Sequence, residues 1–256
     1  MRIDKKLVEM GLFQTRTKAQ DAIKNGYVYV NDKQILQSSF VYTDGKIDII
    51  EEAYKYVSRG GYKLEKAIEY FKLDFKDSIV MDIGASTGGF TDCSLKHQAK
   101  KVIAIDVGSN QLDKSLKSDS RVLSLEQTNF IEIEDIYDND YFVMDVSFIS
   151  ITKLLPKIKQ MMNDKRKLIT LIKPQFEAGK INFKNGVLND KKKHEEILKE
   201  ILNFASSLGF ILKGITYSPI KGKSGNIEYL AYFANDGKSI SVDIKRLVCD
   251  ALTGVV

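Results

Sequence analysis

From Ser78 onward, short apolar runs alternate with segments of helical periodicity, and this alternation constrains the fold more than any other feature of the chain. Strands are predicted near Ile79–Ile83, Lys101–Asp106, Val122–Leu125, Tyr141–Asp145, Lys167–Lys173, Phe210–Tyr217 and Glu228–Phe233, with helices between most of them. A strand that returns through a helix lies parallel to the one before it, so the pattern predicts an α/β class with a doubly wound, mainly parallel sheet. The last two strands are joined by a loop, which predicts an antiparallel hairpin. Hydrophobic residues at 43% and charged residues at 29% allow a full core and argue against disorder. The longest stretch without Asp, Glu, Lys or Arg is 12 residues, 201–212, against about 18 for a membrane-spanning helix. The charged start Met1-Arg2-Ile3-Asp4-Lys5-Lys6 lacks a signal peptide's apolar region. Two cysteines, Cys93 and Cys249, are too few for a secreted disulfide scaffold, so a cytoplasmic protein without stable membrane association is expected.

The first 50 residues read differently. Asp4 is placed to cap a helix running to Met10, which Gly11 would end, and Thr15 to cap a second with Ala19, Ala22 and Ile23 on one face. Tyr27-Val28-Tyr29-Val30 then alternates as a strand before an Asn31-Asp32 turn. Residues 1–33 carry seven basic and four acidic side chains, a local excess within a net charge of +5. Such an excess favours a polyanionic partner, although a merely solubilising surface is the other reading. The mixed stretch 44–58 reads as a linker, dividing the chain into 1–58 and 59–256.

Residues 79–90 form a strand, a glycine-rich turn and a helix start. The spacing Gly84-Ala85-Ser86-Thr87-Gly88-Gly89 departs from the Gly-x-Gly-x-x-Gly of dinucleotide binders, and Asp82 lies on the strand itself. A carboxylate there repels a pyrophosphate and suits an ammonium group. Asp106 ends the second strand, 22 residues after Gly84, where an acid accepts hydrogen bonds from ribose hydroxyls. An amino-acid end near Asp82 and a ribose near Asp106 fit S-adenosylmethionine. Asp82, the turn Gly84 to Gly89, Phe90, Asp106 and, beyond the third strand, Asn129 are therefore candidate cofactor residues; a turn that serves only packing is the alternative.

Three further charged groups sit at strand ends within apolar runs: Asp145 in Phe142-Val-Met-Asp-Val-Ser-Phe148, Lys173 in Leu171-Ile-Lys-Pro-Gln-Phe-Glu177, and Glu228 in Ser224-Gly-Asn-Ile-Glu-Tyr229. An unpaired buried charge costs several kcal/mol, so these groups should converge on each other or on a ligand. A purely structural ion pair would satisfy the same rule. His97 and His194 lack partners at ligand spacing, so no metal site is expected.

Two resemblances sharpen this reading. Arg2-Ile3-Asp4, Leu7, Thr15-Arg16, Ala19, Ile23, Gly26 and Val28-Tyr29-Val30-Asn31 resemble an S4 RNA-binding domain. That implies docking on structured RNA through phosphates and shape, with Arg2, Lys5, Arg16, Lys18, Lys24 and Arg59 as candidate contacts. Residues 59–233 resemble the FtsJ-like ribose 2′-O-methyltransferases, and the whole chain resembles the TlyA family of rRNA (cytidine-2′-O)-methyltransferases, whose members also carry the name hemolysin A. The resemblance rests on Ser58-Arg-Gly-Gly-Tyr-Lys-Leu64, Asp82 to Phe90, Asp145-Val-Ser-Phe-Ile-Ser150, Lys173 to Glu177 and Gly225-Asn-Ile-Glu228. It implies a Rossmann-like S-adenosylmethionine-dependent methyltransferase sheet behind a small α+β S4 domain, and a tetrad of Lys63, Asp145, Lys173 and Glu228 in which Asp145 also borders the cofactor. It further implies ribosomal RNA within ribosomal subunits as substrate, 23S and possibly 16S, and the chain's start resembles the family's shorter form. Lys173 is then expected to deprotonate or steer the ribose hydroxyl, with Lys63 supplying charge repulsion and the two acids holding the ammonium groups. Lys180, Lys184 and Lys191-Lys192-Lys193 are expected to form a basic flap. A membrane-active hemolysin and a non-catalytic ribosome-binding factor are the rival expectations.

Overall fold

The computed structural model describes residues 1–13, 15–24, 26–50, 55–133, 137–179, 186–222 and 224–254. They fall into two compact units, Met1–Ser58 and Arg59–Val256. The expected flap residues Lys180 and Lys184 lie outside the described residues.

In the first unit, α1 (Ile3–Glu9) and α2 (Arg16–Lys24) pack beside an antiparallel sheet of order β2-β1-β3, formed by β1 (Val28–Val30), β2 (Lys33–Gln34) and β3 (Ile47–Ile49). Ile3, Leu7, Ala19, Ala22, Ile23 and Val28 close its core. Asn31 and Asp32 both take positive φ, 49° and 62°, as a two-residue hairpin turn between Val30 and Lys33 requires. The helix start corrects the reading of Asp4. Arg2 occupies the N-cap without a side-chain cap bond, and Asp4 is fully buried inside the first turn. Its carboxylate accepts from Arg2, Arg16 and Gln20 at 2.7–3.1 Å. Burial alone would raise its pKa, but these donors outweigh burial and hold the carboxyl well below its usual range.

In the second unit, α3 (Gly60–Phe71) precedes a seven-stranded sheet of order β6-β5-β4-β7-β8-β10-β9. The strands are β4 (Ile79–Ile83), β5 (Lys101–Ile105), β6 (Val122–Leu125), β7 (Tyr141–Met144), β8 (Lys167–Ile172), β9 (Ile211–Tyr217) and β10 (Tyr229–Ala234). Helices α4 (Gly89–Lys96), α5 (Lys114–Lys117), α6 (Leu155–Met161), α7 (Pro174–Glu177) and α8 (Lys191–Ser207) connect them, and α9 (Ile244–Gly254) follows. Strands β6, β5, β4, β7 and β8 run parallel, and β10 runs antiparallel to both neighbours. The sheet order reverses at β4, with β5 on one side and β7 on the other, and ligands in such sheets bind beyond the strand ends at that point. Because β10 is reversed, its beginning lies at the same sheet edge: Tyr229 pairs with Ile172, which sets Glu228 beside Lys173. The central strands are buried on both faces; Met81, Ile103, Phe142, Met144 and Leu168 are at most 1% exposed.

Candidate active site

The four charged residues meet. Lys63 lies in the first turn and a half of α3, on its buried face with Leu64 and Ala67. Its Nζ donates to Glu228 Oε2 at 2.6 Å and to Asp145 Oδ2 at 3.5 Å. Lys173 Nζ pairs with Asp145 Oδ1 at 2.5 Å, so Asp145 bridges the two lysines. Lys63, Lys173 and Glu228 are 3–7% exposed. Four such groups are tolerable there only because their charges cancel in pairs. Burial alone would disfavour the Lys63 ammonium, but Asp145 and Glu228 outweigh that and raise its pKa. For Asp145 burial pulls upward, and the Lys63 and Lys173 ammoniums more than offset it, lowering the pKa. Gly222 makes room for this arrangement, since a Cβ on it would lie 2.4 Å from Glu228 Oε1.

Lys173 and Asp145 are fixed by their own segments as well. Lys173 Nζ donates to Ser147 Oγ at 2.9 Å, and the Phe176 ring lies 5.7 Å from the same nitrogen. Glu177 ties the two segments together by accepting from Ser150 Oγ and from the Ile151 amide. Phe148 is 92% exposed, has a φ of 63° and packs against Phe176 with ring centres 5.0 Å apart and planes tilted by 45°. A left-handed bulky residue costs about 1–3 kcal/mol, so its surroundings must hold it there. Sequence alone does not single out Ser147, Phe148 or Glu177. Their motifs were visible, but their contacts run 26 to 28 residues along the chain.

The expected cofactor turn caps β4. Gly84 has a φ of 82°, and a Cβ there would meet the Asp145 carbonyl at 2.8 Å; Gly88, at 98°, is the N-cap of α4. Gly89 opens α4, Ala85 and Phe90 pack inward, and the Thr87 carbonyl accepts from the Asp113 amide. Ser86 also takes a positive φ, and its amide donates to Asp106 Oδ2 at 2.7 Å; Gly108 donates to Oδ1. Asp82 is fully buried, with Oδ2 accepting from the Thr91 hydroxyl at 2.7 Å and Oδ1 without a hydrogen-bond partner among the described residues. Burial pushes its pKa up to about 7, against the pull of Thr91. Asn129 caps the turn Phe130–Glu132 through its carbonyl and donates to Glu132, so both ends of its amide are engaged. It lines a cleft of about 480 Å³ with Leu125, Gln127, Thr128, Glu132, Ile133 and Tyr137.

On the first unit, Arg2 and Arg16 converge on Asp4 with side chains 43% and 49% exposed, while Lys5 and Lys24 are exposed and Lys18 is half-buried. In the second unit, Arg59 donates to the Lys221 carbonyl at 2.5 Å.

Comparison with known proteins gives this geometry a family. Residues 56–235 match the FtsJ-like methyltransferases, and residues 1–47 match the S4 domain. The chain belongs to the FtsJ-like methyltransferase family. Among relatives of this FtsJ-like chain, hemolysin A of Brachyspira hyodysenteriae is 46% identical, covering 91% of this chain and 99% of that one. The 23S rRNA (cytidine-2′-O)-methyltransferase TlyA of Campylobacter jejuni is 36% identical, covering 86% and 94%. The 16S/23S enzyme TlyA of Mycobacterium tuberculosis is 35% identical, covering 90% and 88%. A solved Streptococcus thermophilus structure with a provisional hemolysin name superposes at a TM-score of 0.77, with 40% identity and 98% and 95% coverage.

Proposed function

We propose that this protein is an S-adenosylmethionine-dependent methyltransferase acting on the ribose 2′-hydroxyl of a cytidine in ribosomal RNA, with Lys63, Asp145, Lys173 and Glu228 as its catalytic group. The observation that carries the reading is the meeting of those four side chains beside the glycine turn of β4. The names of the TlyA relatives supply the substrate class.

The residues at the turn fit the cofactor. The partnerless Asp82 Oδ1 suits an ammonium, directly or through water; the Asp106 oxygens keep acceptor capacity for ribose hydroxyls; and the cleft beside Asn129 suits a flat base. Bound there, S-adenosylmethionine supplies an electrophilic methyl group on a sulfonium. Lys173 steers the ribose hydroxyl toward that methyl and accepts its proton. Asp145 and Ser147 fix the Lys173 amine, and Lys63, itself anchored by Glu228, holds Asp145 in place. The exposed Phe148 ring, set against Phe176 whose ring lies 5.7 Å from Lys173 Nζ, offers a stacking face to a nucleobase. In the S4 unit, buried Asp4 fixes the Arg2 and Arg16 guanidiniums for phosphate contacts, with Lys5, Lys18 and Lys24 adding charge. This reading makes the working compartment the cytoplasm, where ribosomal subunits are found.

The test is transfer of radiolabelled methyl groups from S-adenosylmethionine to purified ribosomal subunits. Label in cytidine 2′-O-methyl is the expected result; binding to subunits without label favours a non-catalytic binding factor. Relatives named hemolysin prompt a second assay, lysis of erythrocytes by the pure protein. Among the described residues no helix is long and apolar enough to cross a membrane, and no lysis is expected.

A further inference from the structure

We propose that Ser147 is a positioning residue that holds Lys173 in its working orientation and carries its proton away to solvent. The inference deepens the methyltransferase reading and rests on it.

Among the described residues Lys173 has two oxygen partners, Asp145 and Ser147, and they differ in what lies behind them. Asp145 is already paired with Lys63, which is itself 6% exposed. A proton moved onto Asp145 has no onward acceptor there, because the group behind it is the Lys63 ammonium, which is already bonded to Glu228 and cannot take a proton. Ser147 is an exposed residue, and its hydroxyl oxygen accepts from Lys173, so it joins the buried amine to a solvent-facing position. The proton therefore leaves by the serine. An N–H bond of Lys173 breaks as a new O–H bond forms on Oγ, and the old Oγ–H bond breaks onto a water molecule that buffer base then deprotonates. Lys173 is left as a neutral amine and Ser147 as an unchanged hydroxyl. The amine lone pair next takes the proton of the ribose 2′-hydroxyl as that oxygen forms its bond to the methyl carbon and the methyl–sulfur bond breaks, its electrons staying on sulfur.

The surroundings set the serine without using its hydroxyl. Phe148, left-handed at a φ of 63°, turns the backbone immediately after Ser147 and sets its ring against Phe176. Glu177 binds Ser150 and Ile151, locking the segment of Ser147 to the segment of Lys173. Removing the Ser147 hydroxyl leaves every one of these ties in place, so its effect on the reaction is separable from an effect on the fold.

The experiment measures single-turnover methyl transfer to ribosomal subunits for the wild type, Ser147→Ala and Ser147→Thr, alongside S-adenosylmethionine affinity and thermal stability. Ser147→Ala is expected to slow transfer by about ten-fold or more, with affinity unchanged and the melting temperature lowered by only a few degrees, and Ser147→Thr to restore most of the rate. In mixtures of light and heavy water, the wild-type rate should fall along a curve that reports several moving protons, and the alanine variant along a straight line. An alanine variant as fast as the wild type, a threonine variant as slow as alanine, or equal curvature in both overturns the relay. If the wild type itself transfers no methyl to any subunit, the methyltransferase reading falls and the relay with it. Normal transfer by Ser147→Ala beside an active wild type removes the relay alone.

Discussion

Replacing Asp145 with Asn tests the charge arrangement at its hinge. The carboxylate faces Lys173 at 2.5 Å and Lys63 at 3.5 Å. At an effective dielectric of about 20, two such contacts are worth roughly 7 and 5 kcal/mol of gross attraction, most of it spent against desolvation. The measurable quantity is what remains when one member is removed from a buried set, about 3–5 kcal/mol. For a domain near 200 residues that corresponds to a fall in melting temperature of about 6–20 °C. The variant keeps the shape of the side chain, so packing loss contributes little. The effect should depend on pH with a defined sign. The folded-state pKa of Asp145 is lowered, so its contribution is fully present above the unfolded value of about 4 and is lost as pH falls through the folded value. The raised pKa of Lys63 works the other way: its contribution is present below about 10 and is lost as pH rises through the folded value. Thermal unfolding followed by circular dichroism from pH 3 to pH 9 should show a wide gap between wild type and Asp145→Asn at neutral pH that closes in acid. Melting curves that coincide at pH 7 would refute the reasoning, because they would mean that no buried charge had lost its partner.

Three other outcomes follow from the same geometry. Lys173→Ala should abolish methyl transfer while calorimetry finds S-adenosylmethionine binding largely intact, since the turn and Asp82 lie on other segments. Gly84→Ala forces a left-handed alanine Cβ against the Asp145 carbonyl, 2.8 Å away, and should cost about 1–3 kcal/mol in denaturant unfolding together with cofactor affinity. Asp4→Asn removes the charge on which Arg2 and Arg16 converge; it should destabilise the first unit by about 1–3 kcal/mol and flatten the salt dependence of RNA binding, read by titration at several ionic strengths.

Much of the second unit is legible from sequence because its signals are local. Apolar runs bounded by charged or turn residues place β4 and β6 to the residue and the other strands within one. Asp145, Lys173 and Glu228 stand out as charges interrupting those runs. Lys63 is different: on an amphipathic helix a lysine carries no sign of burial, and only the likeness of Arg59-Gly-Gly-Tyr-Lys63 to a family motif singled it out. Asp4 shows where local reasoning misleads. At the start of a helix an aspartate reads as a cap, yet this one is buried because Arg16 and Gln20, 12 and 16 residues further on, arrive from the second helix. Asn129 is a milder case, since the side chain expected at a base is occupied in capping its own turn. Ser147 and Glu177 act only through partners on another strand's segment, and no spacing rule within one segment reveals them.

The central claim is that the four converging charges modify a ribose in the ribosome. Mass spectrometry of nuclease fragments of 16S and 23S RNA, from subunits incubated with S-adenosylmethionine and either the wild type or Lys173→Ala, addresses it most directly. The account predicts a fragment one methyl heavier on a cytidine ribose with the wild type and none with the variant. Identical fragment masses with and without the active protein would contradict it.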